Sequence, residues 1–124
     1  MPPVRVVIAN PVEGFPTLPL AASYRRLHSL TTVHATAEVR ESVPRLRAQL
    51  AIVDLEIVPF AELAELCREF PSTAFVCVHR LADDAMWMKS LAAGAVDCCV
   101  SSDLTRILEN AHRYVAIKEQ SSAA

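Results

Sequence analysis

Asp54 closes an apolar run, Leu50-Ala51-Ile52-Val53, and is the residue most out of keeping with its neighbours. A carboxylate is too costly for an ordinary core position, so it serves either a chemical site or as a structural hydrogen-bond acceptor. Three more apolar runs end on polar residues: Val4 to Ala9 at Asn10, Thr73 to Val78 at His79, and Ala95 to Val100 at Ser101. Glu56 lies two residues past Asp54, and Glu13 follows Asn10 closely. Gathered at one end of a set of strands, these residues would supply a carboxylate for nucleophilic or metal chemistry and a hydroxyl. They would also supply a histidine that becomes cationic at mildly acid pH. For Glu56 and Glu13 the competing reading is that both are solvated loop acids. For His79 it is hydrogen-bonded packing at a strand end.

The other reactive residue types point to structure. Cys67, Cys77, Cys98 and Cys99 show no Cys-x-x-Cys spacing and lie in apolar stretches, where cysteine commonly serves as a small core residue. Reduced, structural thiols are expected. No convincing base or glycine-rich oxyanion loop accompanies them, so an independent thiol enzyme is not the reading, and the chain is expected not to be an enzyme. His28, His34 and His112 have no metal-ligand spacing.

The elements that would position the polar set follow from periodicity. The continuously apolar, β-branched runs at Val4–Ala9, Leu50–Val53, Thr73–Val78 and Ala95–Val100 read as strands buried on both faces of a parallel sheet, with a weaker strand at Thr31–Ala35. Phe60, Leu63, Ala64, Cys67 and Phe70 form one helical stripe, and Leu104, Ile107, Leu108, Ala111 and Val115 another. The second stripe opens with Ser101-Ser102-Asp103, a candidate N-cap. A helix from about Asp83 to Ala93 should end at Gly94 in the left-handed position. Its core face is expected at Met88, Leu91, Ala92 and Ala95, leaving Met86 and Trp87 partly outside. A first helix should begin near Leu20, after Pro16 and Pro19, and carry His28; Pro44 should interrupt the second. Strand and helix alternate five times. With right-handed crossovers this order gives an α/β, flavodoxin-like, doubly wound five-stranded parallel sheet, order 2-1-3-4-5, with helices on both faces. Ligands of such sheets bind at the carboxyl ends of the strands, where Asn10, Asp54, His79 and Ser101 fall.

Size and charge limit the partners. At 124 residues and 13.6 kDa the chain fits one domain, expected over residues 1–120, with 121–124 a disordered tail or the start of a linker. A net charge of −2 and a pI near 6.1 give no basic field for a phosphate backbone, so direct nucleic-acid binding is not expected. No apolar run approaches a membrane span and the N-terminus lacks signal-peptide regions, so a cytoplasmic protein is expected.

Three motifs carry a resemblance to the bacterial response-regulator receiver domains, covering Val4 to about Tyr114. Leu50-Ala51-Ile52-Val53-Asp54-Leu55 resembles the phosphoacceptor strand, Leu91-Ala92-Ala93-Gly94-Ala95-Val96-Asp97 the element before strand 5, and Val6-Val7-Ile8-Ala9-Asn10 strand 1. The resemblance implies that Asp54 is the phosphoacceptor candidate and that Asn10 and Pro11 stand where an acidic pair holds Mg²⁺. Neither is acidic. Asn10, Asp54 and Glu56 remain as candidate metal ligands, for a hard ion that prefers carboxylate and water oxygens. Loss of one unit charge about 4 Å from a cation forfeits roughly 4 kcal/mol per unit of cation charge at an effective dielectric near 20. No cofactor is therefore required, and Mg²⁺ binding is expected to be weak. His79 replaces the strand-4 hydroxyl residue, Ser101 the strand-5 lysine, and Cys98 the strand-5 aromatic. Phosphoryl transfer needs such groups to neutralise the equatorial oxygens. The implied function is that of an atypical receiver, a pseudo-receiver acting as a protein-interaction module in a two-component-type pathway without phosphorylation. The alternative is a phosphoacceptor regulator modified on Asp54 by a histidine kinase, with a non-standard Mg²⁺ site. In the family, the face of the fourth helix, fifth strand and fifth helix docks partners or a second copy. Met86, Trp87, Cys98 and Arg106 are expected on it.

Overall fold

The computed structural model describes residues 4–10 and 27–122. The expected first helix, Glu13 and Pro11 lie outside the described residues, so helices are numbered from the first one described. The order is β1 (Val4–Ala9), β2 (Leu27–Val33), α1 (Thr36–Leu46), β3 (Leu50–Asp54), α2 (Phe60–Glu69), β4 (Ala74–His79), α3 (Asp84–Ala93), β5 (Asp97–Val100), a 3₁₀ turn at Ser101–Asp103, α4 (Leu104–Glu109) and α5 (Ala111–Ser122). All neighbouring strands pair in parallel, in the order β2-β1-β3-β4-β5. This is the flavodoxin-like arrangement expected.

Successive strand residues point to opposite faces of the sheet, and both faces are covered. Val6, Ile8, Leu50, Ile52 and Val76 pack on one side with Leu104, Ile107, Leu108 and Tyr114 from α4 and α5. Val7, Ala51, Val53, Phe75 and Cys77 pack on the other with Val39 and Val43 of α1 and Leu63, Leu66 and Cys67 of α2. Double coverage explains why β1, β3 and β4 are apolar without alternation. No helix among the described residues is long and apolar enough to cross a membrane.

Several expectations are corrected. β2 starts at Leu27, not Thr31, because its pairing with β1 runs back to Val4; His28 is thus in a strand, and His34 lies beyond it. Pro44 does not interrupt α1. It sits in the last turn, where little helix remains to be broken. There Arg47, at φ 52°, closes the end by donating its N–H to the Pro44 carbonyl. The stripe from Leu104 to Val115 is buried throughout, yet the helix breaks at Asn110. The Asn110 amide side chain donates to the Arg106 carbonyl at 2.9 Å, a local bond that competes with continuation of the helix. Ser101-Ser102-Asp103 forms the 3₁₀ turn and gives α4 no side-chain cap. Met88 is 65% exposed and Ala92 is exposed, so the inner face of α3 rests on Ser90, which is fully buried, with Met86 and Leu91 half-buried. Gly94 ends α3 at φ +112°, as expected.

Candidate functional site

Three strand ends meet at Asp54. Val53 pairs with Ala9 and Asp54 with Val78, which brings Asn10 and His79 to its two sides along the sheet edge. The strand stops there because the Asp54 carbonyl accepts the N–H groups of Ile57 (3.1 Å) and Val58 (3.0 Å), folding the next residues into a turn. The Asp54 Oδ1 accepts the Glu56 N–H at 2.8 Å, an Asx-type bond that fixes the same turn. Glu56 therefore does not continue on the strand's side of the backbone, as an extended geometry would require. Its carboxylate turns away, with Oε1 3.0 Å from Arg80 Nε and 3.7 Å from His79 Nε2. His79 Nδ1 accepts the Leu81 N–H at 3.0 Å, so the ring carries its proton on Nε2, facing Glu56.

Asp54 is 6% exposed. Burial pushes its carboxyl above the ordinary range, the Glu56 N–H opposes this, the Glu56 charge adds to it, and His79 and Arg80 oppose it. Asn10 is also buried; its N–H donates to the Val33 carbonyl at 3.0 Å and its own carbonyl lies 2.7 Å from His34 Nδ1. Ser101 follows β5 one strand farther out, half-buried at the start of the 3₁₀ turn.

The site thus joins Asp54, Glu56 and His79, flanks them with Asn10, and adds Arg80, which sequence reasoning missed. Its signal was a cation directly after a strand end, opposite an acid one strand away. The donor set does not suit Mg²⁺: Asn10 has no charge, a proline at position 11 has no side-chain oxygen, and Glu56 is engaged by two cationic or protonated groups. Among the described residues no group of three His, Cys, Asp or Glu side chains could hold a metal ion.

A second polar centre lies on β5. The Asp97 carboxylate accepts the Trp87 indole N–H (3.2 Å), the Tyr114 hydroxyl (2.8 Å), the Cys98 N–H (2.8 Å) and the Cys99 thiol (3.5 Å). One side chain so ties α3 and α5 to the edge strand. Of the expected interface residues, Trp87 is 45% exposed, Arg106 is exposed, and Met86 and Cys98 are half-buried. Cys98 packs against the α1–α2 side of the core while lining a groove of about 570 Å³ between α3 and β5. Burial raises all four thiols: Cys67 to about 11, Cys77 and Cys99 to about 12, and Cys98 in the same direction. The buried Ser90 hydroxyl, with no oxygen or nitrogen partner, faces the thiols of Cys77 and Cys98.

No family model matches the sequence, and no curated protein matches it. Solved structures do. The RcsB response regulator of Salmonella typhimurium superposes with a TM-score of 0.79 at 15% identity, over 94% of this chain and 61% of that one. A signal receiver domain from Vibrio parahaemolyticus gives 0.78 at 12% identity, over 99% and 97% of the two chains. A response regulator from Thermotoga maritima gives 0.71 at 20% identity, over 94% and 99%. With the strand order and the position of Asp54 at the carboxyl end of β3, these likenesses show that the chain has the fold of the response-regulator receiver domains.

Proposed function

We propose that the chain is a pseudo-receiver: a cytoplasmic, non-enzymatic interaction module of a bacterial two-component-type pathway that works without phosphorylation of Asp54. The observation that carries this reading is the direction of Glu56. Its carboxylate, the one acidic neighbour of Asp54 in the described site, is turned to Arg80 and His79. Among the described residues Asp54 is left with neutral Asn10, so a divalent cation finds one carboxylate, itself already accepting the Glu56 N–H, where a phosphoryl-transfer site needs positioned charge. Docking falls to the face of α3, β5 and the α4–α5 pair, which presents Trp87 and Arg106 to a protein partner or a second copy.

Incubation with Mg²⁺ and acetyl phosphate, or with beryllofluoride, followed by intact mass and Trp87 fluorescence, tests this directly. The expected result is no adduct and no change in emission. A stable adduct on Asp54, abolished by Asp54→Asn, defeats the reading.

A second reading rests on Arg80. The Arg80 guanidinium opposes the rise of the Asp54 carboxyl, and on this reading it stands in for the cation that Ser101 does not provide. On this reading Asp54 accepts a phosphoryl group from a histidine kinase, and Arg80→Ala lowers the adduct yield at least tenfold, as expected when a cation is withdrawn from the transferring group.

A further inference from the structure

The groove between α3 and β5 is lined by Asp83, Asp84, Asp97 and Asp103 with Trp87 and Val100, and by no lysine or arginine. Arg106 and Arg113 line a smaller cleft that adjoins the groove and shares Asp97, Cys99 and Asp103 with it, but neither arginine forms an ion pair with those acids among the described residues. Two of the four acids serve the fold. Asp83 caps α3 by accepting the Met86 N–H at 2.8 Å, and Asp97 holds Trp87 and Tyr114. Asp84 and Asp103 are exposed, and their carboxylates have no hydrogen bond or ion pair among the described residues. An independent feature marks the same region. Of the four exposed large apolar side chains among the described residues, Leu81, Trp87 and Met88 fall within positions 81–88. β5 is also the outermost strand on its side of the described sheet, without a proline or lysine to guard it.

An indole hydrogen-bonded at its N–H edge beside carboxylates without an ion-pair partner has the chemistry of guanidinium recognition: the planar cation stacks on the ring while its N–H groups reach the acids. We propose that this groove docks a lysine- and arginine-bearing segment of a partner protein, one arginine lying on Trp87 and the flanking charges meeting Asp84 and Asp103. The inference rests on the docking part of the proposed function and names the partner's chemistry. A second copy is the poorer occupant, because a two-fold contact at this groove sets its carboxylates against their own copies.

The test is selection of a phage-displayed random dodecamer library on the whole chain, followed by titration of the selected peptides with Trp87 emission as readout. Enrichment of lysine and arginine is expected. Binding should weaken with added salt and fall about tenfold in Asp84→Asn/Asp103→Asn, the scale of two partly exposed ion pairs. Glu65→Gln/Glu69→Gln on α2, a control for net charge, should leave binding within about twofold. Circular dichroism checks that the variants are folded. No enrichment, enrichment of uncharged or acidic sequences, equal loss in the α2 control, or a dimer in sedimentation that Asp84→Lys dissociates would each overturn the proposal. A phosphoryl adduct on Asp54 sinks the phosphorylation-independent reading and leaves this one standing; loss of peptide selectivity does the reverse.

Discussion

At the scale of single residues, Asp54 is held at a cost. Its carboxyl is raised mainly by burial, so the folded protein binds that proton more tightly than the unfolded chain does. The stabilisation this gives is complete below the ordinary value of 3.8 and is lost as pH rises through the higher folded value. Asp54→Asn keeps an oxygen to accept the Glu56 N–H and removes the charge. The variant should melt higher than the parent at pH 7, with the gap closing towards pH 4; a lower melting temperature at neutral pH would mean that the charge is stabilising. Asp54 was legible in the sequence because an acid at the end of an apolar strand is too costly to bury without a task. Arg80 was not, since its meeting with Glu56 depends on the turn from Leu55 to Val58, which strand extrapolation did not anticipate. The thiols give a second residue-scale expectation. With Cys67 near 11 and Cys77 near 12, and both buried, alkylation by iodoacetamide at neutral pH should need unfolding at these two positions, as peptide mapping would show. Rapid native labelling of Cys77 would contradict this.

At the scale of elements, two joints fix α3 against its surroundings. Gly94 combines φ +112° with a close approach: a Cβ there would stand 2.8 Å from Cys67 Cβ and 3.3 Å from its Sγ. Gly94→Ala should therefore cost about 1–3 kcal/mol from backbone strain and overlap together. Cys67→Ala keeps the offending Cβ, so the double variant should recover little, and full recovery in chemical denaturation would show that Sγ alone was in the way. Asp97 is the other joint. Asp97→Ala deprives the hydroxyl of the buried Tyr114 and the Trp87 indole N–H of their acceptor, a loss of about 1–3 kcal/mol with a shift in Trp87 emission. Tyr114→Phe removes only one of those bonds and should cost about 0.5–1.5 kcal/mol. Unequal legibility has the same physical origin at this scale. β1 and β3 were readable because burial on both faces leaves an unbroken apolar signature. The start of β2 was not, because Leu27 to Leu30 are strand only through pairing with β1. The exposed Met88 was misread because α3 buries little beyond Ser90, so apolar spacing there marks a surface and not a core.

At the scale of the molecule, the sheet separates two apolar layers that share strands but not side chains. Ile52 belongs to the layer under α4 and α5, and Leu66 to the layer under α1 and α2; both are fully buried. Substitutions with no shared partners add nearly independently, whereas side chains in one packed cluster do not. Ile52→Val should cost about 0.5–1.5 kcal/mol and Leu66→Ala about 2–5 kcal/mol. The double variant should lose their sum to within about 0.5 kcal/mol. Leu63→Ala with Leu66→Ala, one turn apart in a single layer, should depart from additivity by more than that, since the second truncation relaxes into the cavity left by the first. Urea unfolding followed by far-ultraviolet circular dichroism and by Trp87 emission supplies both numbers. Coincidence of the two probes is needed first, because Trp87 watches only the joint between α3 and β5 while the dichroism watches every helix. Coupling above about 1 kcal/mol between Ile52 and Leu66 would mean that the sheet transmits packing strain between its faces. In that case a partner seated on α3 and β5 would be felt at Asp54 through the strands. Additivity confines that communication to the segment from His79 to Asp83, which leads from the Glu56–Arg80 contact directly into the cap of α3.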